Sequence, residues 1–206
     1  MQVVIINGIE YTLNDIEKDC WVQMLNGSLQ YKNPFHNPVV GNNSVHGINL
    51  RTVVLRKVDT IKKQLCLHTD IRSGKWDELQ TDNKITWLFY SPTARLQIRI
   101  SGKATLHSND AIANNAWEKS TMSSRKVYCG IDGPSTISPI PSSGLSSYLD
   151  NNDPTVTESE AGRKNFGIIN TQVQCMEWLW LNSKGHRRAS FTYDSANNFN
   201  AQWLVP

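Results

Sequence analysis

Metal-type cysteine spacing, long apolar runs and an excess of one charge are all missing from this sequence. Four cysteines occur in 206 residues, Cys20, Cys66, Cys129 and Cys175. No two of them form a CxxC or CxxH pair, so no zinc site is expected. Cys66 and Cys175 fall inside apolar, strand-like runs, which suits reduced, buried thiols. No apolar stretch approaches the length of a membrane span. The opening Met1-Gln-Val-Val-Ile-Ile-Asn-Gly has no basic region, and its apolar run is too short for a signal peptide. A cytoplasmic protein without a membrane partner is therefore expected. The formal charge of +3 is too slight to argue for nucleic acid, which needs a concentrated basic face, but it suits a small anionic ligand. No GxSxG, HExxH or GxGxxG occurs, and Gly162-Arg163-Lys164 lacks P-loop spacing. The acidic residues are not paired for acid–base work, so no catalytic residue and no metal ligand is assigned.

What is present reads as an α+β protein, mostly short antiparallel strands with a few helices, on a chain long enough for one full core. A strand or hairpin over residues 3–13 turns at Asn7-Gly8. Asn14 and Glu17 suggest a capping box. The helix after it sets Ile16, Cys20, Trp21, Met24 and Leu25 on one face and stops at Asn26-Gly27. Residues 31–47 read as a loop. Strands are expected over 51–56, 64–69, 84–90 and 94–105, the last with Leu96, Ile98 and Ile100 alternating against Gln97, Arg99 and Ser101. Short helices are expected at 75–80, from Ser108-Asn109-Asp110 to about 119, and at 123–128. Residues 129–165, dense in Pro, Ser, Gly, Asn and Asp, read as a long loop within one domain over 1–206. Strands at 173–181 and 187–193, joined at Ser183-Lys184-Gly185, and a last one at 202–204 complete the pattern.

Two groups of residues suit chemistry. Arg51 and Arg56 bracket one strand, His68-Thr69 ends the next, and Ser73 and Lys75 open a helix close after Arg72. The N–H groups of a helix start, with hydroxyls and cations beside them, attract phosphate. A lysine in a first helical turn fits an anion that offsets its charge. Taken singly, each of these is equally a solvated surface residue. The second group is Trp178, Lys184, His186 and Arg188 on the arms of a hairpin. It reads either as an aromatic wall with cations for a planar anionic ring, or as a packed tryptophan beside a basic turn. Gln97, on the polar face of its strand, both donates and accepts.

Four stretches in order, Arg51-Thr-Val-Val-Leu-Arg56, His68-Thr-Asp-Ile-Arg-Ser-Gly-Lys75, Trp87-Leu-Phe-Tyr90 and Arg95-Leu-Gln-Ile-Arg99, resemble the FMN-binding half of the pyridoxamine 5′-phosphate oxidase family. His186-Arg187-Arg188 and the closing Trp203-Leu-Val-Pro206 are similar to a branch of oxidase-like flavin proteins. The resemblance runs from about residue 34 onward, interrupted at 129–165. It implies a split β-barrel, an FMN cofactor, and a homodimer with FMN at the subunit interface.

It also implies roles. Arg51, Thr52, Val53, Val54, Leu55 and Arg56 would line the flavin and its phosphate. His68 and Thr69 would reach the phosphate region, and Ser73 and Lys75 would clamp it. Gln97 would face the ring from the other subunit, and Trp178 and Arg188 would lie on the ring. Arg56, Lys184 and His186 would face a small-molecule substrate. The departures are Gly74 for an arginine of the family's arginine–lysine pair, with Arg72 as a stand-in, and Lys184 for a substrate-side arginine. Trp117, Thr121 and Arg125 stand nearest the family's substrate-phosphate set without reproducing it, and Pro134-Ser135 stands for its Gln-Ser pair. The implied function is an FMN-dependent oxidoreductase with an altered substrate site; the alternative is a non-catalytic flavin carrier or sensor.

Overall fold

The computed structural model describes residues 2–206. The chain opens with a hairpin, β1 (Val4–Ile6) and β2 (Ile9–Tyr11). Its tip holds Asn7 and Gly8 in the left-handed region at φ 52° and 84°, the conformation an Asn-Gly hairpin turn requires. Helix α1 (Leu13–Leu29) follows. Its capping box is formed by Thr12 and Asp15 rather than Asn14 and Glu17. Glu17 is instead buried, where Tyr193 and Lys63 donate to its Oε1 at 2.8 Å each. The helix also runs past Asn26-Gly27, because Gly27 is where Phe35 packs against it: a Cβ there would lie 2.8 Å from that of Phe35.

Eight strands and several helices come next in the chain: β3 (Val39–Ser44), β4 (Gly47–Thr52), β5 (Lys57–Asp59), β6 (Gln64–Asp70), α2 (Gly74–Thr81), β7 (Lys84–Ser91), β8 (Leu96–His107), α3 (Ala111–Glu118), α4 (Met122–Lys126), α5 (Ser147–Asn151), α6 (Val156–Glu160), a 3-10 turn at Arg163–Asn165, β9 (Phe166–Trp180) and β10 (Arg187–Tyr193). The last strand is β11 (Phe199–Leu204). A nine-stranded sheet has the order β11-β10-β9-β8-β7-β3-β4, with β6 pairing β5 and β9. Three expectations change. Residues 31–47 contain β3, which pairs β4 and β7. The strand expected over 51–56 ends at Thr52. The stretch 129–165 includes α5, α6 and the 3-10 turn, each helix capped by its own hydroxyl, Ser146 or Thr155.

Two compact units are distinguishable, and the chain passes between them within β6, β8 and β9. The first comprises residues 1–67, 83–104 and 170–206; the second, 68–82 and 105–169. In the first, the alternation of β8 and β7 sends Ile98, Ile100, Trp87 and Phe89 inward, all nearly inaccessible to solvent. Trp21 and Met24 of α1 are buried in the same unit. Trp87 Nε1 donates to Thr171 Oγ1 at 3.0 Å and Trp21 Nε1 to Tyr193 Oη at 2.8 Å, so the indoles are buried with their polar atoms partnered. In the second unit, Trp117, Tyr128 and Phe166 pack edge-on at centroid distances of 5.0–5.9 Å. Among the described residues, no helix is long and apolar enough to cross a membrane.

Candidate functional site

In the second unit, β6 ends and α2 begins within four residues, so the hydroxyls of Thr69 and Ser73 meet at 3.3 Å. Both are buried. The turn between them is held by backbone bonds: Ser73 N donates to Asp70 O at 3.2 Å, and Ile71 N to Asn165 O at 2.9 Å. Gly167 lets the turn come close, since a Cβ there would lie 2.5 Å from the Trp76 ring and 2.6 Å from Ile71. Ser73 occupies the N-cap of α2 without capping it through its side chain. Its hydroxyl donates to Asp70 O at 2.7 Å. The Lys75 ammonium then donates to Thr69 Oγ1 and, at 3.1 Å, to Ser73 Oγ. Two hydroxyls, both donating to the Asp70 carbonyl, and an ammonium thus converge on one point at the head of a helix, where the positive charge suits a small oxyanion. Half-buried His68, one residue earlier, sits edge-on to Phe166 at 4.9 Å.

Arg72, suggested as a stand-in phosphate ligand, is engaged with other partners. Its Nε and Nη2 clasp the two oxygens of Asp70 at 3.0 and 2.7 Å, and its Nη1 donates to the carbonyls of Gly130 and Ile131 at 3.0 and 3.2 Å.

The substrate-phosphate counterparts are likewise committed. Arg125 is buried, donating to Trp117 O, Ser159 Oγ, Glu160 Oε1 and Glu118 O and lying over the Trp117 ring at 4.9 Å. Trp117 Nε1 donates to Glu160 Oε1 at 3.1 Å, and Thr121 caps α4. Pro134 and Ser135 belong to an exposed loop; Ser135 adopts φ 70°.

In the first unit, Arg51 sits on β4 opposite Val40 and donates to Asn42 Oδ1. Thr52 is exposed, Val53 and Val54 are half-buried, and Leu55 is wholly buried. The backbone continues bonded beyond the strand end, from Val53 N to Pro38 O at 3.0 Å and from Leu55 N to His36 O at 2.9 Å. Arg56 is exposed.

The hairpin group does not come together. Trp178 pairs with Ala189 and is buried with it, whereas Arg188 pairs with Leu179 and lies on the opposite face. Residues at alternate parity on paired strands cannot share a face. Arg188 and Arg99 both bond to Glu177. Burial pushes the Glu177 carboxyl up, but the hydrogen bonds from Arg188 and Arg99 outweigh it and hold it below the usual range. Lys184 and His186 are exposed at the turn, where Asn182 N donates to His186 Nδ1 at 3.1 Å.

Gln97 pairs with Tyr90, and Arg99 with Leu88. Their face continues over Leu50 and Ile48, both about 70% exposed, around a cavity of about 420 Å³. Sequence reasoning passed over Asn42 and Glu177. Only the folded strands bring these beside Arg51 and Arg188, and nothing local in the sequence marks them.

Residues 18–108 match the family model described as pyridoxamine 5′-phosphate oxidase, FMN-binding domain. No curated protein matches the chain in sequence. Among solved structures, a pyridoxamine 5′-phosphate oxidase-related, FMN-binding protein from Nostoc punctiforme is similar at TM-score 0.71 and 18% identity, over 92% of this chain and 96% of that one. PhzG from Burkholderia lata, solved with tetrahydrophenazine-1-carboxylic acid, is similar at TM-score 0.69 and 15% identity, over 95% and 94%. At such identities the structures speak for the fold, an antiparallel split barrel flanked by helices. The domain match thus covers residues 18–108, and the fold shared with those two structures extends over nearly the whole chain.

Proposed function

We propose that the chain binds FMN and acts as an FMN-dependent oxidoreductase on a small substrate that carries no phosphate. The observation that supports it most is the convergence of Thr69, Ser73 and Lys75. An ammonium and two hydroxyls able to turn from the Asp70 carbonyl toward an anion fit a phosphomonoester, and the Asp70 carboxylate is paired with Arg72. These three residues hold the phosphate. The resemblance assigns further flavin contacts to Arg51–Arg56, His68, Gln97, Trp178 and Arg188. Bound FMN would supply the redox chemistry, accepting hydride at N5. Arg56, Lys184 and His186 face the substrate.

The substrate class follows from what is used up. Trp117, Thr121 and Arg125 are engaged in packing and capping, which leaves that set no donor for a second phosphate. The Burkholderia protein's ligand is by name a carboxylic acid, in keeping with a relative of this fold that takes an unphosphorylated anion. The chain forms a homodimer through the open sheet face bearing the exposed apolar side chains of Ile48, Leu50, Leu88 and Tyr90. Gln97 and Arg188 lie on that same face.

Titration of flavin-free protein with FMN tests the reading. Lys75→Ala and Arg51→Ala should each weaken binding from several-fold to about a hundredfold, because charge-assisted bonds contribute ~1.5–3 kcal/mol. Unchanged affinity in both variants would remove the phosphate assignment. A second reading, a flavin carrier or sensor without turnover, draws on the same committed Arg125. Anaerobic bleaching of bound flavin by amines or a reduced nicotinamide favours the enzyme; a flavin that no donor reduces favours the carrier.

A further inference from the structure

The loop over residues 131–143 is exposed almost throughout; Ile131 and Ile137 are 81% and 96% accessible. Its bonds are mostly internal or to its own neighbours: Thr136 to Gly133, Ser138 to Ile140, Ser143 to Asp150, and Ile131 N to Gly144 O. Among the described residues, one side chain from outside the 129–165 stretch is hydrogen-bonded to it, Arg72. The guanidinium is used as a two-sided clasp. One edge grips both oxygens of Asp70, and Nη1 takes the carbonyls of Gly130 and Ile131. Gly133 lies flat on the arginine stem; a Cβ there would approach Arg72 Cβ to 3.0 Å. Between clasp and loop is a cavity of about 360 Å³, walled by Asp70, Arg72, Gly133, Ser135, Thr136 and Ser143. Asp70 and Ser73 close the same turn.

We propose that Arg72 is a positioning residue, a latch that holds the 131–143 loop closed over this cavity and fastens it to the turn that presents Ser73 and Lys75. The latch is a property of the chain alone; its link to cofactor occupancy rests on the FMN reading above. A loop with few buried contacts opens with little free energy, so losing its external tether shifts that opening strongly. A ligand that stiffens the turn at Ser73 makes the closed loop more favourable, and by reciprocity the closed loop tightens the ligand.

Limited proteolysis of the full-length, flavin-free protein decides it, using a protease that cuts before bulky apolar residues such as the exposed Ile137. Cleavage within 131–143 is expected to be on the order of tenfold faster in Arg72→Ala than in the parent, with Arg72→Lys between, while the global thermal transition remains. Equal rates in folded protein overturn the latch. If Arg72→Ala does not fold, Gly133→Ala, which wedges loop from arginine, should show the same acceleration; an unchanged rate there is equally fatal. Added FMN should slow cleavage of the parent but not of Arg72→Ala. If FMN fails to bind the parent, the flavin reading falls while the flavin-free comparison still judges the latch. If Arg72→Ala loses FMN affinity with its loop as protected as before, Arg72 is a ligand and not a latch.

Discussion

Glu177 shows how a single carboxylate organises the open face of the sheet. It receives Arg188 from the neighbouring strand and Arg99 from the other side, and their pull holds its pKa below the usual value despite burial. A lowered folded pKa means a stabilising contribution that is complete above the ordinary carboxylate range and fades as pH falls through the folded value. Glu177→Gln should therefore lower stability near neutrality and flatten the acid limb of a stability–pH curve, read by urea denaturation at stepped pH, so that the variant's deficit shrinks as pH falls. The cysteines differ in the same terms. Burial pushes the Cys66 thiol up to about 12 and that of Cys20 well above normal, while Cys129 and Cys175 are raised less. Thiol titration at pH 8 should find Cys129 and Cys175 slowly reactive and Cys20 and Cys66 silent until denaturant is added. The sequence pointed to Cys66 and Cys175 as the strand thiols, but only the packing distinguishes a fully covered strand position from a half-covered one.

Among the elements, β8 is the most closely fitted. Gly102 pairs with Ile85 on β7, and a Cβ there would come 2.2 Å from the Gln172 carbonyl oxygen of β9. That atom is backbone and cannot yield, so Gly102→Ala should destabilise by about 1–3 kcal/mol or more, measured as a shift in denaturation midpoint. The N-terminus of α1 is milder. Thr12→Ala removes the capping hydroxyl and the partner of Asp15, a loss of about 1 kcal/mol on the same assay. Strands with strict alternation, β7 and β8, were legible residue by residue, because period two with one buried face leaves no other register. The end of β4 was not. Residues 53–56 keep a strand-like composition, yet Val53 and Leu55 bond to loop carbonyls at Pro38 and His36, and Arg56 turns to Cys66 of β6. Composition records the preference for an extended backbone, not the partner.

For the whole molecule, the testable matter is association. Ile48, Leu50, Leu88 and Tyr90 form the apolar part of the exposed sheet face, and desolvating them favours a second copy. Light scattering should report a dimer for the parent and a monomer for Leu50→Glu, which sets a charge in the middle of that patch. A parent that stays monomeric at high micromolar concentration would end the dimer proposal.

What the amino-acid sequence determined by itself is the place of the regular strands and of the longer helices, the inward and outward faces of those strands, and the ordered motifs that resemble the family. Each of these rests on local periodicity or on spacing along the chain. It also marked Thr69, Ser73 and Lys75, because a strand end and a helix start four residues apart bring those groups near one another. The tertiary structure alone decided the fate of the long-range candidates. Arg72 went to a loop some sixty residues on, Arg125 to a buried cluster with Glu160 and Ser159, and Trp178 and Arg188 to opposite faces of one hairpin. A guanidinium carries several donors in a fixed fork, so its partner depends on which carbonyls and carboxylates the folded chain delivers to it. That delivery is set by packing between distant segments, and spacing along the chain does not encode it.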